Sequence, residues 1–268
     1  MCRGWAAVAT VLILVSANAR SEAPAVDPAG MLRGADAPHD AFPEGVIRLR
    51  VLVNERGKPP PANVLELFVK GTDQSLLVFR EGKQKGRKIL TLGDRVFLIV
   101  PGASRPIPVS KTQRLMGAAS FGDIARLRFA DEYEATLRPG EQPVSGEGGE
   151  TLCRVLDLAA NRAGSAYPTA VLWIGRDDGL ARRLRLLLAS GKEAKDVLFT
   201  SYDDKRRIAT MEIRDLLNVG DANVTNLVFE SYDRGPLDPA IFDPEGARAV
   251  PRPAFIPKRR CSWPRRCP

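Results

Sequence analysis

Histidine is almost absent from this sequence: His39 is the only one in 268 residues, and it lies in a segment rich in Pro and Asp. There are four cysteines and no Cys-x-x-Cys spacing. A zinc or haem site therefore finds no ligand set, and no metal or cofactor is expected. The glycine and nucleophile patterns of common enzymes are missing as well. Gly-x-Ser-x-Gly, Gly-x-x-x-x-Gly-Lys-Ser/Thr, His-Glu-x-x-His and the Rossmann glycine signature do not occur. Aromatic residues make up 6% of the chain, and few of those on strands stand beside Lys or Arg as a base-stacking platform requires. The chain is expected to be no enzyme and no partner of nucleic acid.

Long apolar runs are also scarce. The only one, Trp5 to Val15, follows the basic Arg3 and precedes the small-residue step Ala17-Asn18-Ala19. It is shorter than the roughly 20 residues that span a bilayer. Residues 1–19 thus read as a cleavable secretory signal, which places the rest of the chain in the periplasm as a soluble protein. Cys2 precedes the run, so it is not a lipid-modified cysteine.

The net charge of +8 is unevenly distributed. Arg252, Lys258, Arg259, Arg260, Arg265 and Arg266 crowd the tail at 251–268, which has no acid. Without them and Arg3, 33 basic residues face 32 acidic ones, so the body is neutral. A solvated basic tail is the simplest reading, with contact to an anionic surface as the alternative. Cys261 and Cys267 are spaced to close a small loop there, which leaves Cys153 as a lone thiol within a strand.

The body, residues 20–250, is dominated by period-two alternation. Asp27 to Ala37 is an amphipathic helix candidate that Pro38 ends. Ile47, Leu49, Val51 and Val53 then alternate with Arg48 and Arg50, and Leu65, Leu67 and Val69 share one face. Further strands are expected at 75–80, 86–92, 95–100, 133–137, 151–159, 170–175, 180–188, 194–202, 206–216 and 224–232. Pro101 to Pro108 is too rich in Pro and Gly for a strand, and Arg138 to Gly149 reads as a loop. Gly146 to Gly149 is followed by no strand-to-helix step, so it is no phosphate cradle. Asp177-Asp178 and Asp203-Asp204 lie between strand patterns, as turn residues do. After Asp233 the chain is Pro-rich and reads as a surface segment.

One stretch breaks the meander. Ser110 and Gln113 fit a capping box for a short helix over 111–118, and Ser120 to Asp123 starts a second one that runs to Phe129. The fold class is therefore mainly β: one strongly curved antiparallel sheet whose concave side is covered by short helices.

The run Gly93-Asp94-Arg95-Val96-Phe97-Leu98-Ile99-Val100-Pro101, the segment Pro106-Ile107-Pro108-Val109-Ser110, the step Arg114-Leu115 and the turn Ser120-Phe121-Gly122-Asp123-Ile124 resemble the periplasmic LolA-like family of outer membrane lipoprotein-sorting proteins. Leu172-Trp173 and Ser190-Gly191-Lys192 fit it too, and the resemblance spans about 43–242. The tail at 251–268 has no counterpart in the family. The resemblance implies an unclosed β-barrel with lid helices and a cavity for the acyl chains of lipoproteins or another lipid. Its lining would be Leu49, Val51, Leu65, Leu67, Phe97, Ile99, Leu115, Met116 and Ile124. It also implies a monomer, an inner- or outer-membrane protein as partner, and a carrier role. The alternative within the family's range is a lipoprotein sensor that regulates a membrane partner, of the anti-sigma-regulator type. N-terminal sequencing of the exported protein is expected to begin near Arg20; a first residue still inside 1–19 contradicts the signal assignment.

Overall fold

The structure, a computed structural model, describes residues 27–40, 42–54, 62–110, 114–116, 118–120, 128–146, 148–217 and 224–249. The signal expected at 1–19, the tail at 251–268 and Ile124 lie outside them. None of the described helices is long and apolar enough to cross a membrane.

Helix α1 (Pro28–Asp40) opens the described chain. Asp27 caps it, its Oδ1 accepting from the Ala29 N–H at 3.0 Å. The helix runs past Pro38 instead of ending before it. In the last turn a proline forfeits little of the backbone ladder. The first meander follows: β1 (Glu44–Val53), β2 (Ala62–Lys70), β3 (Gln74–Phe79), β4 (Lys88–Leu92), β5 (Arg95–Ile99) and β6 (Ile107–Val109). A hairpin of β7 (Arg114–Met116) and β8 (Ala119–Ser120) stands apart from it. The short helix α2 (Phe129–Glu132) leads into the second meander. That comprises β9 (Tyr133–Gly146), β10 (Gly149–Ala160), β11 (Thr169–Gly175), β12 (Ala181–Leu187), β13 (Glu193–Tyr202), β14 (Ile208–Asp215) and β15 (Val224–Arg234). A 3-10 turn at Pro239–Phe242 and helix α3 (Pro244–Ala249) complete the described residues.

Thirteen strands form a single sheet in the order β6-β5-β4-β3-β2-β1-β15-β14-β13-β12-β11-β10-β9. Every neighbour is antiparallel, and β6 and β9 are edges, so the sheet is mainly β and unclosed. Bulges bend it, as between Arg48 and Leu49, Trp173 and Ile174, and Phe199 and Ser201.

Several elements differ from the sequence expectation. The helix expected over 111–118 is instead the β7–β8 hairpin in its described part. The loop expected over 138–149 is strand out to Gly146. There Pro139 and Gly140, which read as turn residues, sit in a bulge, because Arg154 pairs with Glu141 and Leu156 with Leu137. Gly140 takes a positive φ of 81°. Pro106–Pro108 contributes a short edge strand, where a missing N–H faces no neighbour. The segment after Asp233 is no loose surface run, since Leu237, Ile241, Phe242 and Ala247 bury against the outer face of β1–β5.

The alternation sorts the sheet into two faces. One face, with Leu49, Leu65, Leu77, Leu156, Leu172 and Leu184, packs together with Leu32 and Ala35 of α1. The other carries Val46, Phe68, Leu76 and Leu90 under the C-terminal segment, and Cys153, Val155 and Trp173 farther along. Cys153 is a free buried thiol, pushed up to about 11 by burial. Gly45 holds the start of β1 against β15: at φ 149°, a Cβ there would press into the Asp233 carbonyl and lie 2.7 Å from Phe42 Cζ. Gly45→Ala is expected to lower unfolding free energy by about 2–4 kcal/mol in urea titrations. An unchanged midpoint contradicts this close packing.

Candidate functional site

The inner face is built by parity. β1 and β2 pair so that Leu49 faces Leu65 and Ile47 faces Leu67 across the strands. With period-two side chains, that register puts all four on one side and Arg48 and Arg50 on the other. Leu49, Val51 and Leu65 are fully buried, and Leu67 nearly so. These four expected lining residues therefore come together. Phe97 and Ile99 do not join them: they pack with Leu90 and Phe68 on the outer side. From β5 it is Val96 and Leu98 that reach the inner cluster, one residue out of phase with the expectation. The phase follows from Leu90 pairing with Phe97 and Ile89 with Leu98. Leu115 and Met116 lie on β7, and their side chains and Ile124 fall outside the described residues.

Among the described residues, three pieces cover this face: α1, the β7–β8 hairpin and α2. Two buried polar contacts tie them down. The Ala118 N–H donates to Thr225 Oγ1 on β15 at 2.8 Å, which anchors the hairpin to the sheet. The carboxylate of Asp36 in α1 accepts from the backbone N–H groups of Phe129 and Ala130, both at 2.8 Å. Asp36 is 2% exposed, so this cap works where water cannot replace it. Phe129 then meets Phe199 edge-on, with ring centres 6.5 Å apart. Ala118 and Phe129 are thereby each tied down at the inner face. Neither anchor is legible in the sequence, since a lone Asp in a helix and a lone Thr in a strand carry no pattern.

Around the inner cluster three phenols act as donors. Tyr133 Oη bonds the Tyr167 carbonyl at 3.1 Å, Tyr202 the Ala181 carbonyl at 2.6 Å, and Tyr232 the Ile208 carbonyl at 2.7 Å. Burial raises all three phenols above their ordinary value, so they stay protonated and donating.

The paired carboxylates are turn residues. Asp178 accepts from the Leu180 N–H at 3.0 Å and pairs with Arg182. Exposed Asp177 is held below its ordinary range by the adjacent Arg176 guanidinium. Burial alone would raise Asp203, but Arg207 and the backbone N–H groups of Arg207 and Lys205 outweigh it and hold the carboxyl low. Each of these three acids is thus engaged by an arginine in its own turn. Among the described residues no three His, Cys, Asp or Glu side chains gather as a metal site would need. The inner face offers apolar surface with a tethered cover, and its chemistry is burial.

Asp36→Ala leaves two buried N–H groups without an acceptor and is expected to cost about 2–4 kcal/mol in chemical denaturation. Asp36→Asn keeps one acceptor oxygen and is expected to cost less. Equal losses for both variants contradict the capping role.

A family model described as an uncharacterized protein matches residues 71–246, well over half of the chain. No curated protein matches the sequence. Among solved structures, a LolA superfamily protein of Nitrosomonas europaea is similar at a TM-score of 0.71 and 22% identity, over 82% of this chain and 99% of that one. A DUF1329 family protein of Desulfovibrio piger is similar at 0.67 and 22%, over 81% and 98%. A protein domain of Vibrio parahaemolyticus, described as outer membrane lipoprotein-sorting, is similar at 0.68 and 14%, over 82% and 98%. The chain belongs to the family of uncharacterized proteins that this model describes, and its fold is LolA-like.

Proposed function

We propose that the protein is a non-enzymatic periplasmic carrier that takes the acyl chains of lipoproteins, or of a related lipid, between the inner sheet face and its tethered cover. The observation that supports this reading most is the cover itself. Among the described residues, a continuous aliphatic face on thirteen strands is overlaid by one helix of length, a hairpin and a single helical turn. Their attachment is concentrated at Thr225 and Asp36. A cover hinged between two anchors can part from the sheet and admit a chain without unfolding the strands beneath.

The energetics suit such a ligand. Each buried CH₂ contributes about 0.8 kcal/mol, so a chain of ordinary length binds firmly with no charged group to hold it. The relatives agree with the reading in kind: the Vibrio parahaemolyticus domain is described as lipoprotein-sorting. In this proposal residues 20–250 form the carrier and the signal at 1–19 exports it. Leu49, Val51, Leu65 and Leu67 line the floor, and Leu115, Met116 and Ile124 are assigned to the cover.

The test is uptake of a fluorescent fatty acid by Met116→Asp. A carboxylate at a covering position opposes an acyl chain, because an unpaired charge is costly to bury. Uptake is expected to fall sharply while the thermal midpoint moves only slightly, since the cover can carry the charge outward. Unchanged uptake by the folded variant contradicts the cover assignment, and failure to fold assigns Met116 to a fixed core instead.

A further inference from the structure

On the outer face, where β3, β4 and β5 meet α3, the structure leaves a cleft of about 700 Å³. Its charged lining is Arg80, Lys85, Lys88 and Arg248, and no Asp or Glu is among the lining residues. The four come from different parts of the chain. Arg80 follows β3, Lys85 sits in the turn to β4, Lys88 begins β4, and Arg248 lies in α3.

Three of these cations are fixed by the fold. Arg80 Nε donates to Glu66 Oε2 at 2.6 Å, while its Nη2 is buried with no hydrogen-bond partner among the described residues. Lys88 Nζ donates to the carbonyls of Ala247 at 2.7 Å and Arg248 at 2.9 Å, at the end of α3 where helix carbonyls favour a cation. Arg248 reaches across to the Ala103 carbonyl at 3.2 Å and so ties the helix to the 100–104 turn. Burial, and after it the charge of Arg80, lower Lys88 below its ordinary value. Glu66 and Glu245 each pair with one of the arginines, yet neither lines the cleft.

We propose that this cleft is a binding site for a phosphate-type oxyanion, carried either on a lipid headgroup or on a soluble phosphate compound. Guanidinium forks match the oxygens of a phosphate and add geometry to charge. The volume lies in the range of small-molecule sites, so it leaves room for what is esterified to the phosphate. Arg80, whose Nε is held by Glu66, is one of the lining residues. The cleft opens on the face opposite the aliphatic cluster, so this inference does not rest on the acyl-chain reading.

Calorimetric titration with inorganic phosphate at low ionic strength tests the site. Lys85→Gln with Arg248→Gln removes two charges without touching the core. A control pair, Arg33→Gln with Arg162→Gln, removes two exposed charges elsewhere, where the side chains are 65% and 73% accessible. The unaltered protein is expected to bind phosphate, the cleft pair to weaken binding by about tenfold or more, and the control pair to leave it unchanged. Flotation with phosphatidylcholine vesicles, with and without phosphatidylglycerol, identifies the source. Flotation that needs phosphatidylglycerol and drops in the cleft pair assigns the site to a headgroup, because the basic tail is the same in both chains. Phosphate binding with flotation insensitive to the cleft pair assigns it to a soluble compound. The proposal is overturned if the unaltered protein binds neither phosphate nor, through the cleft, vesicles. It is equally overturned if the control pair weakens binding as much as the cleft pair.

Discussion

The pairing of β1 with β15 makes one sheet out of two meanders. It joins residues nearly the whole domain apart, from Gly45 with Arg234 to Val53 with Thr225. Closing so long a loop carries an entropic cost, which grows only slowly with length. What offsets it is buried at the seam: Leu49, Val51 and Leu227 are fully enclosed there. The register is set on both faces at once. A shift of one residue would turn Arg48 and Arg50 inward. As folded, both arginines bond the bulged Glu230, at 3.2 and 2.7 Å, on the outer side. Gly45 permits the approach at one end, and Thr225 at the other end also anchors the hairpin over the inner face. The same seam therefore unites the sheet and attaches its cover.

From that seam the two faces acquire different characters. The inner face is aliphatic, with buried polar contacts such as those of Asp36 and Thr225 at its cover. The outer face is braced by charge: Arg183 grips Asp196 through two bonds, at 2.7 and 2.6 Å, and lies over the Trp173 ring. Farther along, the C-terminal segment shields Phe68 and Leu76 and shapes the cationic cleft. Both sheet edges carry proline, Pro108 in β6 and Pro139 and Pro143 in β9, which discourages pairing with another chain. An open sheet of this length can thus expose two edges and still keep its apolar side for its own cover.

Much of the fold was legible in the sequence, because alternation records which side of a strand is buried. Leu49 and Val51 in β1, Leu65 and Leu67 in β2, and the turns at Asp177 and Asp203 lie where the pattern put them. Phe97 and Ile99 show the limit of that signal. In β5 the residues from Val96 to Ile99 are all apolar, so parity is set by pairing with β4 and not by contrast along the strand. Local signals misled where tertiary contacts outweighed them. Ser110 and Gln113 promised a helix whose described part is a hairpin, and Pro139-Gly140 promised a loop that a neighbouring strand converts into a bulge. The C-terminal segment looked like surface because Pro and Asp dominate it, although Leu237, Ile241 and Phe242 are spaced to reach one face. Asp36 and Thr225 were invisible for a simpler reason: a buried anchor is defined by its distant partner.

The proposed carrier role turns on whether the inner face receives an acyl chain. Native mass spectrometry of the protein purified from cells without exposure to detergent is the most direct measurement. The account predicts a mass in excess of the polypeptide, released on activation as a molecule that bears fatty acyl chains. The polypeptide mass alone, preparation after preparation, with no lipid in the organic extract, would contradict it.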